Sequence, residues 1–366
     1  MVTSDLEALP GAGGHDPAAA PATVVMHFGG ASVGDPARIR EVAARIVAER
    51  DRGARVVGVI SAMGSTTDQL LELARRVSPG PDPRELDMLL SVGERIACAL
   101  VAMAVRDLGR EAISLTGSQA GIITDNGHGN ARIVEVRARR IHQALDADRV
   151  VLVAGFQGMS EAKDITTLGS GGTDTSAVAL AASLGADVCE LYADVEGIST
   201  ADPKLVPNAR RHSAVSYEAM LELAAAGAGP LQLRSLEFAR RHGVRLHVRS
   251  TDADDPGTWI MDKNESMEKA AVSGVAHTLE EVVYRVQGPD PSELFTALAG
   301  AQVNVDTIIQ AGADVIVFSA PLDDRVRTAR ALDALGATWS ERDDLARVVV
   351  VGGGMKNQPG VAARTF

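Results

Sequence analysis

Six short apolar runs separated by amphipathic stretches constrain this chain more than any other feature. They are TVVMHF (23–28), ARVVGVIS (54–61), AISLT (112–116), RVVLVAGF (149–156), DVCELYA (187–193) and RLHVRS (245–250). Most are rich in β-branched residues and several are apolar on both faces, the pattern of parallel strands covered on both sides. Between them the apolar spacing predicts helices over 37–52, 67–77, 85–108, 131–144, 174–184 and 217–225. Strand and helix in alternation predict a three-layer α/β/α domain around a mostly parallel sheet. In such sheets ligands lie beyond the carboxyl ends of the strands, so the loops there are the place to look for chemistry.

After Thr251 the composition changes. DADDPGTWIMDKNESMEKA is polar and turn-rich, which predicts a boundary near residue 265. Beyond it, after a strand-like run over 271–276, strands over 282–286, 303–309, 313–320 and 346–351 and helices over 292–300 and 324–335 follow a β-α-β-β-α-β order, that of a ferredoxin-like sandwich. The organisation expected is a flexible extension over 1–22, an α/β domain over 23–265 and a small sandwich region over 266–366. The chain stops at Phe366 inside what reads as a helix start, so a second small module is expected to be cut short.

Lys plus Arg number 36 and Asp plus Glu 48, a net charge of −12. So acidic a chain is a poor phosphate-backbone binder, which argues against nucleic acid as a partner. No uninterrupted apolar stretch of ~18 residues is evident, so no membrane span is expected. The first 22 residues lack a basic segment followed by an apolar one, so they do not read as a signal peptide. Cys98 and Cys189 lie in apolar surroundings without ligand-like spacing, and read as buried free thiols of a cytoplasmic protein with no metal site.

Two glycine loops stand out. His27-Phe28-Gly29-Gly30-Ala31-Ser32-Val33-Gly34 follows the first strand, and Leu168-Gly169-Ser170-Gly171-Gly172-Thr173-Asp174-Thr175 runs into a helix. Backbone without side chains approaches anions closely, and helix starts present free N–H groups, so both loops on one sheet point to phosphate binding. Thr173 and Asp174 suit the N-cap position. Neither loop is a GxxxxGK[ST] loop or a GxGxxG fingerprint.

HFGGASVG, VISAMGSTTDQL, SVGERIACALVAMA, LTGSQAGIITDNGHGNARI, VAGFQGM, TTLGSGGTDTSAVALAASLGADVCELYADVEGISTADPKLVPNAR and LRSLEFARRHGVRLHVRS occur in an order that resembles bacterial aspartate kinase, of the amino-acid kinase superfamily. The resemblance covers about Val24 to Phe366, with 271–366 similar to that family's ACT-type regulatory modules. It implies transfer of the γ-phosphoryl group of MgATP to the side-chain carboxylate of L-aspartate, without a phosphoenzyme, by positioning and charge stabilisation. It also implies a homodimer or higher homo-oligomer and an amino-acid effector.

Carried over residue by residue, Gly29, Gly30 and Ser32 match the first phosphate loop, and Gly171 and Gly172 the second. Ser61, Thr67 and Thr173 match the amino-acid pocket. Glu94 and Asp174 match two carboxylates that meet the substrate ammonium, and Asp194, Asp202 and Lys204 match the nucleotide side. Asn304, Asp306 and Gln310 resemble an effector-binding junction, although Pro289 and Pro291 replace the usual glycine loop before the first helix of that module. Four departures matter more. The family's phosphoryl-contacting lysine is His27, its neighbouring threonine is Ala31, its carboxylate-gripping arginine is Ser170, and its nucleotide-side lysine is Gly229. On the adenosine side a tyrosine is Ser199 and an arginine is Lys204.

Three cations are thus replaced, while the groups that would hold an ammonium remain. Losing one preorganised donor commonly costs ~2.7–4 kcal/mol of transition-state stabilisation, so weak or altered aspartate kinase activity is expected. A histidine beside phosphate could restore part of the lost charge. The rival reading is a non-catalytic homologue that binds an amino acid or acts as a scaffold.

Overall fold

The computed structural model describes residues 21–253, 255–262, 272–312 and 314–352. In chain order its elements begin β1 (Thr23–Phe28), α1 (Pro36–Asp51), β2 (Arg55–Ile60), α2 (Thr66–Val77), α3 (Pro83–Leu90), α4 (Val92–Asp107), β3 (Ala112–Leu115), α5 (Gly117–Ala120) and β4 (Ile122–Thr124). They continue with β5 (Ile133–Val136), α6 (Arg139–Asp146), β6 (Val150–Ala154), β7 (Gln157–Ser160), β8 (Ile165–Thr167), α7 (Gly172–Leu184), β9 (Val188–Ala193), β10 (Ala214–Ser216), α8 (Tyr217–Ala225) and α9 (Leu233–His242). The remainder are β11 (Leu246–Ser250), β12 (Thr258–Met261), β13 (Gly274–Thr278), β14 (Glu281–Gln287), α10 (Pro291–Gly300), β15 (Ile308–Gln310), β16 (Val315–Pro321), α11 (Arg325–Ala334), β17 (Thr338–Arg342) and β18 (Arg347–Val351). The chain divides into two compact units, one ending at Glu196 and resuming over Glu237–Trp259, the other formed by Gly197–Leu236 and the chain from Ile260.

In the first unit six strands run parallel in the order β11-β9-β1-β2-β6-β3. Strand alternation decides what each face holds. Val24, Met26 and Phe28 of β1 join one apolar core with Ile39, Val42 and Ile46 of α1 and Ala97, Cys98, Val101 and Val105 of α4. Each fully buried large side chain of this kind contributes about 1.5–3 kcal/mol. Val25 and His27 therefore face the opposite layer, where α7 packs on β1, β2 and β9. Cys98 and Cys189 are buried free thiols, and burial pushes the Cys98 thiol up to about 12.

Two expectations for this unit need correction. The helix expected over 131–144 is β5 followed by α6, because β5 pairs antiparallel with β4 in a second sheet, β5-β4-β7-β8, that the sequence reading missed. The helix expected over 85–108 breaks at Ser91. Its hydroxyl turns back onto the Met88 carbonyl at 3.0 Å, and its own carbonyl accepts from Gln157 Nε2 at 2.7 Å, which removes it from the helical ladder. The run Pro83–Asp107 is long and apolar enough to cross a membrane by length and composition, although Glu94 and Arg95 interrupt it, as the reading of no uninterrupted apolar stretch expected. Half of its apolar 18-residue window is buried inside the protein, where α4 fills the core, while Val92, Ile96, Leu100 and Met103 of α4 are exposed.

In the second unit β15-β16-β14-β17 form an antiparallel sheet carrying α10 and α11, with Tyr284, Leu294, Leu298, Phe318 and Leu332 in its core. This is the expected sandwich, with two of its strands reassigned. The closing strand is β17, not 346–351, which instead forms β18 and pairs antiparallel with β13. β17 was missed because TWSER is largely exposed and polar. The strand expected over 303–309 reaches only Ile308–Gln310, since the Asn304 N–H is taken by Asp324 Oδ2 at 3.3 Å. The expected extension and the expected second module fall largely outside the described residues.

Candidate functional site

β1 and β2 end side by side, and the loops that follow them are tied together. The Ser61 N–H donates to the Phe28 carbonyl at 3.1 Å and the Gly64 N–H to the Gly30 carbonyl at 3.0 Å. Gly29 caps a short 3-10 helix over Gly30–Val33. A Cβ at Gly30 would lie 3.0 Å from the Ala62 carbonyl oxygen, so any larger residue would push the two loops apart by a few tenths of an ångström. Ser32 is buried and turned away, its hydroxyl 2.6 Å from that of Thr251. Thr67 stands half-buried in the first turn of α2.

The second glycine loop leads into α7 differently from expectation. The N-cap is Gly171, at φ 67°, and neither Thr173 nor Asp174 caps the helix. Both lie within its first turn, Thr173 buried and Asp174 partly so. There the helix dipole favours a carboxylate. Ser170 is exposed on the turn before it.

β1 and α7 bring two of the proposed residues into contact: His27 Nδ1 lies 3.1 Å from Asp174 Oδ1, and His27 Nε2 lies 3.3 Å from Ser61 Oγ. Burial pushes the His27 imidazole below its usual range, more strongly than Asp174 pulls it up. Without a phosphate beside it, burial thus favours the neutral form of this ring.

Glu94, in the first turn of α4, is buried and does not pair with its neighbour Arg95. That guanidinium donates to Gln157 Oε1 and Ser91 Oγ, each at 3.1 Å. The Ala62 N–H reaches the Glu94 carboxyl, while its Oε2 is buried with no hydrogen-bond partner among the described residues. Burial raises this carboxyl from 4.5 to about 7. A buried acid with a spare oxygen beside the loop of Ser61 is suited to receive a cationic group.

This predicts a pH signature. The folded chain holds the Glu94 proton more tightly than the unfolded chain, so the stability it confers is complete below about 4.5 and is lost as pH rises through about 7. Relative to Glu94→Gln, the native protein is expected to lose about 3 kcal/mol across that window. Urea unfolding of both proteins between pH 4 and 8 measures it, and parallel stability curves would remove Glu94 as a buried, raised acid.

The structure also shows a support that sequence reasoning missed. Asp87, buried on α3, accepts from His128 Nδ1 at 2.7 Å, from the Gly129 N–H at 3.1 Å and from Thr167 Oγ1 at 2.5 Å. It thus pins the DNGHGN loop to β8, just before Gly169. A charged residue on the otherwise apolar end of α3 was the available signal.

Asp194 is exposed one residue beyond β9. In the second unit Asp202 accepts the Lys204 N–H at 2.9 Å within a turn, and Lys204 is exposed. Ser199 bridges to Arg211, and Gly229 sits at φ 92°. In the sandwich, Asp306 pairs with Arg347 at 2.7 Å, while Asn304 and Gln310 are exposed.

The first glycine turn follows β1 of the parallel sheet, whereas the second follows β8 of the smaller sheet and leads into α7, which corrects the expectation of both loops on one sheet. Residues 22–250 match the amino acid kinase family. Within it the chain belongs to the aspartokinase family. It is 51% identical over 361 residues to an aspartokinase of Mycolicibacterium smegmatis, covering 93% of this chain and 86% of that protein. It is 49% identical, with the same coverage, to an aspartokinase of Corynebacterium glutamicum. The fold is that of the E. coli aspartokinase III structure with aspartate and ADP, at a TM-score of 0.79 and 22% identity over 94% of this chain and 90% of that one. The chain is accordingly a phosphotransferase with a carboxyl group as acceptor.

Proposed function

We propose that this chain transfers the γ-phosphoryl group of MgATP to the side-chain carboxylate of L-aspartate or a close analogue, and that it handles aspartate itself poorly. The observation that carries this reading is the pair of acidic groups at the ends of the sheet. Glu94 is buried with a spare oxygen, and Asp174 stands at the start of α7. Both suit an amino group. The glycine turns at Gly29–Gly30 and Gly171–Gly172 would hold nucleotide phosphates, with Ser61, Thr67 and Thr173 around the acceptor and Asp194, Asp202 and Lys204 toward the nucleotide. Mg2+ would arrive with ATP as part of the substrate.

Against aspartate stand the replaced cations. His27 carries an imidazole that burial pushes below its usual range, Ser170 offers only a hydroxyl where a bidentate guanidinium grips a carboxylate, and Gly229 offers no side chain. An acceptor with its amino group in place and its α-carboxylate masked or displaced fits these groups better. In the sandwich, Asn304, Asp306 and Gln310 would form an amino-acid effector site, and the exposed edge of β15 would suit pairing with a second copy.

Calorimetry with MgATP is expected to give a dissociation constant between the micromolar and millimolar ranges. Hydroxylamine trapping across aspartate and its α-carboxyl-modified analogues is expected to give the fastest acyl phosphate formation with an analogue. Absence of nucleotide binding at millimolar concentration, or of acyl phosphate from every acceptor, would refute the reading.

A further inference from the structure

Phosphorylation of a carboxylate needs no base, because the acceptor arrives ionised. The site nevertheless contains one. Asp174 Oδ1 lies 3.1 Å from His27 Nδ1, and His27 Nε2 lies 3.3 Å from Ser61 Oγ. In the neutral tautomer that fits these partners, Nδ1–H donates to the Asp174 carboxylate and leaves the Nε2 lone pair facing the serine hydroxyl. Carboxylate, imidazole and hydroxyl in series is the arrangement that turns a hydroxyl into a nucleophile. The two inner members are shielded, with side chains 8% and 13% exposed, whereas Ser61 is half-exposed at the open end.

Its position gives the hydroxyl an electrophile. Ser61 follows β2 directly and its N–H is bonded to Phe28, one residue before the Gly29–Gly30 turn. The Gly64 N–H in turn donates to the Gly30 carbonyl at 3.0 Å, which ties this turn to the loop carrying Ser61. Ser61 Oγ therefore stands beside the loop whose backbone suits phosphate.

We propose that Ser61 is itself a phosphoryl acceptor, taking the γ-phosphoryl group of bound MgATP when no amino acid occupies the acceptor pocket. Ser61 Oγ attacks the γ-phosphorus, and an Oγ–P bond forms as the bond to the β–γ bridging oxygen breaks. ADP departs with that electron pair, the hydroxyl proton moves to His27 Nε2, and Asp174 holds the imidazolium until it loses the proton to water. Nothing is oxidised or reduced. The phosphoserine then fills the acceptor pocket and blocks turnover. This inference rests on the nucleotide reading above.

The test is incubation of the full chain with MgATP labelled in the γ-phosphoryl group, without amino acid, followed by digestion and peptide mapping. The expected result is an acid-stable label on Ser61 that is absent from Ser61→Ala and retained by Ser61→Thr, which keeps the hydroxyl. His27→Gln is expected to slow labelling at least a hundredfold. Nucleotide binding is read on the same samples as a rise in Tm. An acid-labile label on His27, or equal labelling of Ser61 in His27→Gln, overturns the proposal. If MgATP raises Tm and acyl phosphate forms while Ser61 stays unlabelled, this inference alone falls. If MgATP leaves Tm unchanged, the nucleotide reading falls and takes this inference with it.

Discussion

Asp174→Asn is expected to reduce MgATP-dependent acyl phosphate formation at least a hundredfold with little change in melting temperature. Asparagine keeps the size of the side chain and removes its charge. The carboxylate lies 3.1 Å from His27 Nδ1, and in the proposed reading it also meets the acceptor ammonium. Removing a preorganised charged group from such a site costs ~2.7–4 kcal/mol, which corresponds to a hundredfold or more. The α7 start does not depend on Asp174 as a cap, because Gly171 holds that position without a side-chain bond. Hydroxamate assays with the preferred acceptor, together with thermal melts, separate chemistry from folding. An activity above a tenth of the native value would take Asp174 out of the reacting centre.

The largest expected loss of stability is that of Gly121→Ala. Gly121 closes α5 at φ 87°, where a side chain is strained. Its Cβ would also fall 2.1 Å from the Arg137 carbonyl oxygen. That carbonyl cannot move freely, because the Arg137 N–H donates to the Gly121 carbonyl at 2.8 Å and fixes the turn between β5 and α6. Strain and overpacking each cost about 1–3 kcal/mol, so a total of about 3–5 kcal/mol and a fall in Tm of roughly 10 °C are expected. Gly53→Ala is the control. Its φ of 96° carries the same backbone strain, but nothing lies within 4 Å of its Cβ, so only about 1–2 kcal/mol should be lost. Equal losses in the two variants would contradict the packing argument.

What was legible in the sequence follows from how strongly each element is buried. The six parallel strands were visible because both faces are covered, which writes continuous β-branched runs such as VVLVA. The sheet β5-β4-β7-β8 was not, because its strands are three or four residues long and IVEV reads as a helix start when partners cannot be seen. β17 and β18 exchanged places for a related reason: a polar, exposed strand lies in the sandwich sheet, and the apolar run lies outside it. At the site, motifs located His27, Ser61, Glu94 and Asp174, but not their protonation. That Glu94 is raised to about 7 and His27 is lowered depends on burial and on which partners are absent, and neither is written in local sequence. Arg95 illustrates the limit: it is adjacent to Glu94 in sequence, yet it serves Gln157 and Ser91.

The central claim is that an aspartokinase-family site has kept its ammonium-binding acids and lost the cations that make aspartate a good acceptor. The most direct measurement is the MgATP-dependent hydroxamate yield from L-aspartate for the native chain and for the paired change His27→Lys with Ser170→Arg. A gain of at least tenfold is expected, about 1.4 kcal/mol of recovered transition-state stabilisation. Native turnover of aspartate at tens per second, left unimproved by the paired change, would contradict the account.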